Sequence, residues 1–249
     1  MGKKQIVYIS PHLDDAVLSC GGLIWEQVQS GARVQIWTLC AGDPDPRTLS
    51  DFAKSLHARW HTGPDAISMR REEDISSCRV LGVQARHFDV PDVIYRWNPH
   101  TGEPYVLEDA DLSKKIDPAE EELISQLAKE LDMFLDSDVY LVCPLGVGNH
   151  LDHQLARQAV ERLDVKRWYY ADYPYINANE ETLLLLIPPG VRMEIFPISQ
   201  SGINAWVEAI AMHRSQISTF WPDLKKMEEE IRQYHGKHGG IRLWITDSK

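Results

Sequence analysis

Residues 5–9 (Gln-Ile-Val-Tyr-Ile) form an almost unbroken β-branched and aromatic run, the composition of a buried strand. The run breaks at Ser10-Pro11. Over 16–30 the apolar positions fall at Val17, Leu18, Leu23, Ile24 and Val28, a mainly helical spacing, and Gly31 stands where a helix C-cap belongs. Residues 34–39 return to strand character. Strand, helix and strand within about 35 residues predict a βαβ unit with parallel pairing. The pattern continues with a helix over 64–81 closed by Gly82, a strand over 86–90, a charged amphipathic helix over 118–135, and a strand over 139–143. A helix over 152–163 and strands over 167–171 and 183–187 follow. A strand over 191–197 is placed to form a hairpin with the one before it, across Pro188-Pro189-Gly190. Helices over 203–217 and 222–234 close the pattern.

Such alternation predicts an α/β fold: a single Rossmann-like layered domain spanning 1–249, with a mostly parallel sheet flanked by helices. Residues 91–117 are long, polar and aromatic-bearing, and read as an inserted surface loop. A chain of 249 residues buries enough surface to need neither disulfides nor a structural metal. With 43% hydrophobic and 25% charged residues, disorder is excluded. Acidic residues outnumber basic ones 37 to 26, and a net charge of −11 repels phosphate backbones and anionic lipid, so neither nucleic acid nor a membrane surface is an expected partner. The apolar run at 183–187 is far too short to span a bilayer. No signal-peptide pattern precedes the first strand, and Cys20, Cys40, Cys78 and Cys143 form no C-x-x-C pair, which together predict a cytoplasmic protein with reduced thiols.

The chemistry-bearing residues gather at two strand ends, where open parallel sheets bind ligands. Ser10-Pro-His12-Leu-Asp14-Asp15 follows the first strand, and Gly148-Asn-His150-Leu-Asp152-His153 follows the strand over 139–143. Either segment alone could be a helix cap. Together they bring three histidines and three carboxylates to one pocket, and burying that set without an ion is costly. Hydrolytic zinc sites use three nitrogen or oxygen ligands, leave a position for water, and need a further carboxylate to take the water's proton. Elsewhere, His235 and His238 read as a solvent-exposed flexible tail, and Tyr95, Trp97 and Tyr105 as residues that either stack on a sugar ring or pack their own loop. No G-x-G-x-x-G or Walker loop supports a nucleotide cofactor.

These segments resemble the two hallmarks of the LmbE/PIG-L-like zinc-dependent de-N-acetylases, (P/A)-H-P-D-D and H-P-D-H, standing here as Pro11-His12-Leu13-Asp14-Asp15 and His150-Leu151-Asp152-His153. Gly21-Gly22, Arg70-Arg71-Glu72-Glu73 and His213-Arg214-Ser215-Gln216 are similar to further family segments. The resemblance implies that His12, Asp15 and His153 bind Zn2+, or another divalent ion such as Fe2+. It implies Asp14 as general base, His150 as the group stabilising the oxyanion or protonating the leaving amine, and Asp152 as the carboxylate that orients His150. It further implies that Arg70 and Asp92 contact the substrate, an N-acylated, N-acetylglucosaminyl-type sugar or sugar conjugate; relatives occur as monomers and as trimers or hexamers, which leaves a homo-oligomer open. Leucine replaces the motif proline at Leu13 and Leu151, and Gly148 stands where some sugar-processing members carry tyrosine. Read from the residues alone, a metal-dependent phosphoesterase and a non-catalytic carbohydrate-binding protein remain as alternatives.

Overall fold

The computed structural model describes residues 5–45, 47–63, 65–136 and 138–246. Its centre is a seven-stranded sheet built from β1 (Gln5–Ser10), β2 (Arg33–Thr38), β3 (Gln84–His87), β4 (Val139–Pro144), β5 (Lys166–Tyr170), β6 (Val191–Phe196) and β7 (Ile241–Thr246). The order is β3-β2-β1-β4-β5-β7-β6, parallel from β3 to β5 and antiparallel at β7 and β6. β1 is buried along its whole length and pairs on both edges, Ile6 lying opposite Val34 on one side and Tyr140 on the other. That accounts for its lack of polar alternation. The chain winds outward from β1 through β2 to β3 and then returns to β4 on β1's other edge. The strand order therefore reverses between β1 and β4, which opens a crevice beyond their carboxyl ends.

Helices α1 (Asp15–Gln29), α2 (Asp51–Arg59), α3 (Ala66–Leu81), α4 (Glu121–Met133), α5 (Leu151–Glu161), α6 (Leu183–Leu186), α7 (Gln200–Ala211), α8 (Arg214–Phe220) and α9 (Leu224–His238) complete the chain. A Cβ on Gly21 would lie 2.5 Å from Trp206 Cδ1, so the glycine lets α7 cross closely over α1. Trp206 Nε1 donates to the Val17 carbonyl across that contact at 2.8 Å. The Gly21-Gly22 pair is thus a packing device.

Several expectations are corrected. Residues 183–187 are not a strand: four consecutive leucines form the short helix α6, with Leu184 and Leu185 exposed. Leucine is a good helix former, and the four leucines carry no β-branch. β6 accordingly pairs not with that segment but with β7, a strand the sequence reading passed over. The single helix expected over 203–217 is two, α7 and α8, broken at Met212 and His213 where the buried imidazole turns the chain. α2 was not anticipated; Ser50 caps it by accepting from the Ala53 N–H at 3.1 Å. The expected helix start at Pro64 lies outside the described residues. His235 and His238 belong to the last turn of α9, not to a flexible tail. Residues 91–117 do not simply lie on the surface: Val93, Ile94, Tyr95, Arg96 and Val106 are buried and tie the segment to the core.

Candidate active site

The turn after β1 is tied by Ser10, whose Oγ donates to the His12 carbonyl at 2.6 Å and accepts from the Ala16 N–H at 3.0 Å. Asp15, the first residue of α1, then meets both histidine-bearing segments. Its Oδ2 accepts from the His12 N–H at 2.8 Å, lies 3.1 Å from His12 Nδ1, and lies 3.3 Å from His153 Nε2. His153 Nδ1 sits 2.6 Å from Asp172 Oδ1, at the loop following β5. The pairing fixes the ring and leaves Nε2 facing Asp15, sealed from solvent and without a hydrogen bond. His150 caps α5, its Nδ1 accepting from the Asp152 N–H at 3.2 Å, with its ring 4.8 Å from that of His12 and 5.3 Å from that of His153.

This donor set fits a divalent ion. Ring nitrogens of His12, His150 and His153 lie within 4.8 Å of one another, as do donor atoms of His12, Asp92 and Asp152. The field of the site points the same way. Burial opposes protonation of His12, yet Asp92, Asp15 and Asp152 raise it well above the usual imidazole range. His153 is pushed up to about 10 against its burial, chiefly by Asp15 and then Asp172. The surrounding carboxylates thus favour positive charge at both imidazoles. The orphaned Nε2 of His153 is the atom a metal would satisfy.

Asp14 stands beside this cluster and lines the open pocket. Burial, then the neighbouring Asp15, raises its carboxyl to about 6, and Arg70 opposes that rise from 3.8 Å. Arg70 is buried and lies over the Trp60 ring at 5.0 Å. It does not form a helix-surface pair with Glu73, whose carboxylate instead accepts from the Ser215 N–H and hydroxyl at 2.9 and 2.6 Å. Asp92 Oδ2 lies 3.6 Å from His12 Nε2 while its Oδ1 accepts from the Ile94 N–H at 3.2 Å.

One expected contact is replaced. Asp152 does not orient His150 through its side chain. Its carboxylate lies 3.0 Å from His12 Nε2 and accepts from the Val93 N–H at 2.9 Å and from Arg96 at 2.6 Å. Arg96 also grips Glu120 through two bonds of 2.8 and 2.7 Å, forming a buried chain Glu120–Arg96–Asp152–His12. Arg96, Glu120 and Asp172 escaped the sequence reading. Asp172 alone had a usable signal, as an acidic residue just past a strand's carboxyl end. The aromatic residues of the pocket are also different ones. Tyr95 is buried with its hydroxyl 2.6 Å from His57 Nε2, and Trp97 donates to the Thr48 carbonyl at 3.0 Å. Tyr105 packs against the core. The pocket wall instead carries Trp60, Tyr175 and Phe220, with Leu56, Ile94 and Leu112 beside them.

Known proteins carry the same architecture. The chain is 28% identical over 209 residues to the 2'-N-acetylparomamine deacetylase of Niallia circulans, a match covering 73% of this chain and 71% of that one. The crystal structure of the zinc-inhibited form of teicoplanin deacetylase Orf2 superposes with a TM-score of 0.83 at 26% identity, over 99% of this chain and 100% of that one. The A40926 pseudoaglycone deacetylase Dbv21 superposes with a TM-score of 0.70 at 28% identity, over the full length of both. The model of the GlcNAc-PI de-N-acetylase family, PIG-L, matches residues 7–163. That match runs through both motifs and over more than half of the sequence, and the chain therefore belongs to the PIG-L family of GlcNAc-PI de-N-acetylases.

Proposed function

We propose that this protein is a zinc-dependent N-deacetylase of amino sugars or their conjugates, with His12, Asp15 and His153 holding the ion. The observation that carries the reading is the meeting of the two motifs: Asp15 Oδ2 between His12 Nδ1 and His153 Nε2, with Asp14 beside them on the pocket. An ion held by His12, Asp15 and His153 would supply a Lewis acid for a water and the substrate's amide carbonyl. Asp14 takes the water's proton and returns it to the leaving amine. A carboxyl held near 6 is a suitable acceptor, mostly ionised at neutral pH yet more basic than an ordinary aspartate. His150 donates to the carbonyl oxygen as charge builds on it. Its Nδ1 is engaged as an acceptor from the Asp152 N–H, which supports the tautomer with the proton on Nε2. Asp152 and Arg96 position His12, and Asp172 positions His153. Arg70 and Asp92 reach the substrate's polar groups from the pocket wall, and an arginine fork suits paired hydroxyls. The 91–117 segment contributes Asp92, Ile94, Asp109 and Leu112 to that wall.

The same wall supports the substrate class: polar groups together with Leu56, Trp60, Leu112 and Phe220 on one pocket lining suit an N-acetylglucosaminyl-type sugar joined to a less polar portion. Among the described residues no helix is long and apolar enough to cross a membrane, and a cytoplasmic location is part of this reading. The test is amine release from N-acetylglucosamine conjugates, N-acetylated aminoglycosides and N-acyl glycopeptides. Zinc is held at one equivalent, since a relative's structure is a zinc-inhibited form. Hydrolysis of phosphate esters with no amine released from any of these substrates would remove the reading.

A further inference from the structure

The loop after β5 does two things at once. Asp172 holds His153 at 2.6 Å and accepts from the Gly146 and Val147 N–H groups at 2.8 Å each, so it locks the β5 loop to the one that follows β4. Three residues on, Tyr175 enters the pocket. Its position is well determined: the Tyr173 N–H donates to Ser19 Oγ on α1 at 3.0 Å, and the Ile176 N–H donates to the Asp172 carbonyl at 2.9 Å. The Tyr175 ring stands edge-on to His153 with 5.9 Å between centroids, and edge-on to Phe220 at 6.0 Å.

The space for that ring exists because residue 148 is glycine. A Cβ there would lie 3.1, 3.2 and 3.3 Å from Cβ, Cγ and Cδ1 of Tyr175, and Gly148 also adopts a left-handed φ of 88°. A side chain at 148 would therefore crowd the present place of Tyr175, which would have to give by a few tenths of an ångström. Among the described residues the Tyr175 hydroxyl has no hydrogen-bond partner, although it shares the pocket with His12, Asp14, Asp15, Arg70 and His150.

We propose that Tyr175 is a catalytic residue whose hydroxyl donates to the acyl oxygen of the substrate as the amide is attacked. The proposal rests on the deacetylase reading above. The chemistry of the neighbours selects the role. Asp14, Asp15 and Asp92 are acceptors and repel an oxygen that is gaining negative charge, whereas a phenol is a neutral donor that keeps its proton at neutral pH. Its ring contact with His153 sets the side chain beside the proposed metal ligands, where the amide must lie. In the reaction the water oxygen bonds to the acyl carbon and the C–N bond breaks. One proton of the water passes through Asp14 to the amine, the other leaves with the acid and is lost to solvent as the carboxylate forms, and the Tyr175 hydroxyl only shifts its hydrogen bond onto the former carbonyl oxygen.

Tyr175→Phe removes this one donor and keeps the ring. In zinc-loaded protein it should lower kcat about 10- to 100-fold, the scale of one oxyanion donor, with KM within about threefold. It should also weaken the binding of acetate, measured by calorimetry, while metal content stays at the wild-type level. Gly148→Ala should lower kcat in the same direction by displacing the ring, and adding it to Tyr175→Phe should cost less than its effect alone. A Tyr175→Phe variant with wild-type kcat and wild-type acetate affinity would overturn the proposal. If the wild type hydrolyses no N-acyl sugar, the deacetylase reading fails, and the acetate measurement still decides whether Tyr175 touches a carboxylate product at this site.

Discussion

At the residue scale, the site is a set of unlike aspartates. Asp15 lies against two histidines and is held well below the usual carboxylate range, since His153 and His12 outweigh the cost of its burial. Asp14, next in the chain, faces the pocket and is raised to about 6 by burial and by Asp15. One is suited to hold a cation and the other to move a proton. Asp14→Asn should therefore keep metal content and melting temperature near wild type while lowering kcat by about 100-fold or more; equal turnover in the variant would assign the proton to another group. Arg70 tunes the proposed base. Its guanidinium favours the ionised carboxylate, so Arg70→Ala should raise the Asp14 pKa. A base works when deprotonated, and activity falls as pH drops through its pKa. The acid limb of kcat/KM should accordingly move to higher pH in Arg70→Ala, and an unmoved limb would separate Arg70 from the base. His12, Asp14, Asp15, His150, Asp152 and His153 stood out in the sequence as candidates because two short motifs hold them at strand ends, whereas Arg70 and Asp92 were reached only through the family resemblance. The partner of Asp152 was not legible, because Val93 and Arg96 reach it from a segment whose path no local pattern encodes.

At the scale of elements, strand ends were legible and helix breaks were not. β1, α1 and β2 follow directly from apolar periodicity, because one buried strand and one amphipathic helix each need a distinct spacing. The break between α7 and α8 has no such signature: His213 is buried between them with its ring held near pKa 4 by desolvation, and only tertiary packing makes that favourable. β7 closes the sheet after α9, between β5 and β6; its run Ile241-Arg-Leu-Trp-Ile-Thr246 carries strand composition, so it was legible in principle although the expected pattern ended at the helix before it. The β5 loop makes the clearest prediction at this scale. Asp172 serves His153 and two backbone N–H groups of the β4 loop, and Asp172→Asn weakens all three contacts without touching the proposed ligand set. Zinc affinity should drop about 10- to 100-fold, as it does when a ligand histidine loses its carboxylate partner. Competition with a chromophoric chelator measures this directly, and an unchanged affinity would mean that His153 is not a ligand.

Across the whole molecule, the site exists only when the sheet is complete. His12 and Asp15 follow β1, whereas His153 begins 138 positions after Asp15 in the chain and arrives by way of β4. The unfolded chain holds these groups far apart and cannot present them to one ion, so the ion binds the native state almost exclusively and stabilises it by mass action. The pocket carboxylates favour protons on His12 and His153, and zinc held by these residues would displace them. Two consequences can be measured. Elemental analysis should find about one ion per chain. Free zinc at about 1,000 times its dissociation constant should add about 4 kcal/mol to the unfolding free energy, or about 10 °C in Tm for a domain of this size. Calorimetric scans with and without chelator should show this shift in the wild type and lose most of it in His153→Ala. The shift should also shrink as pH falls, because protons then compete with zinc for both imidazoles. A wild-type Tm indifferent to chelator, or a His153→Ala variant that keeps the full zinc shift, would place the ion elsewhere in the molecule or remove it from the fold's stability altogether.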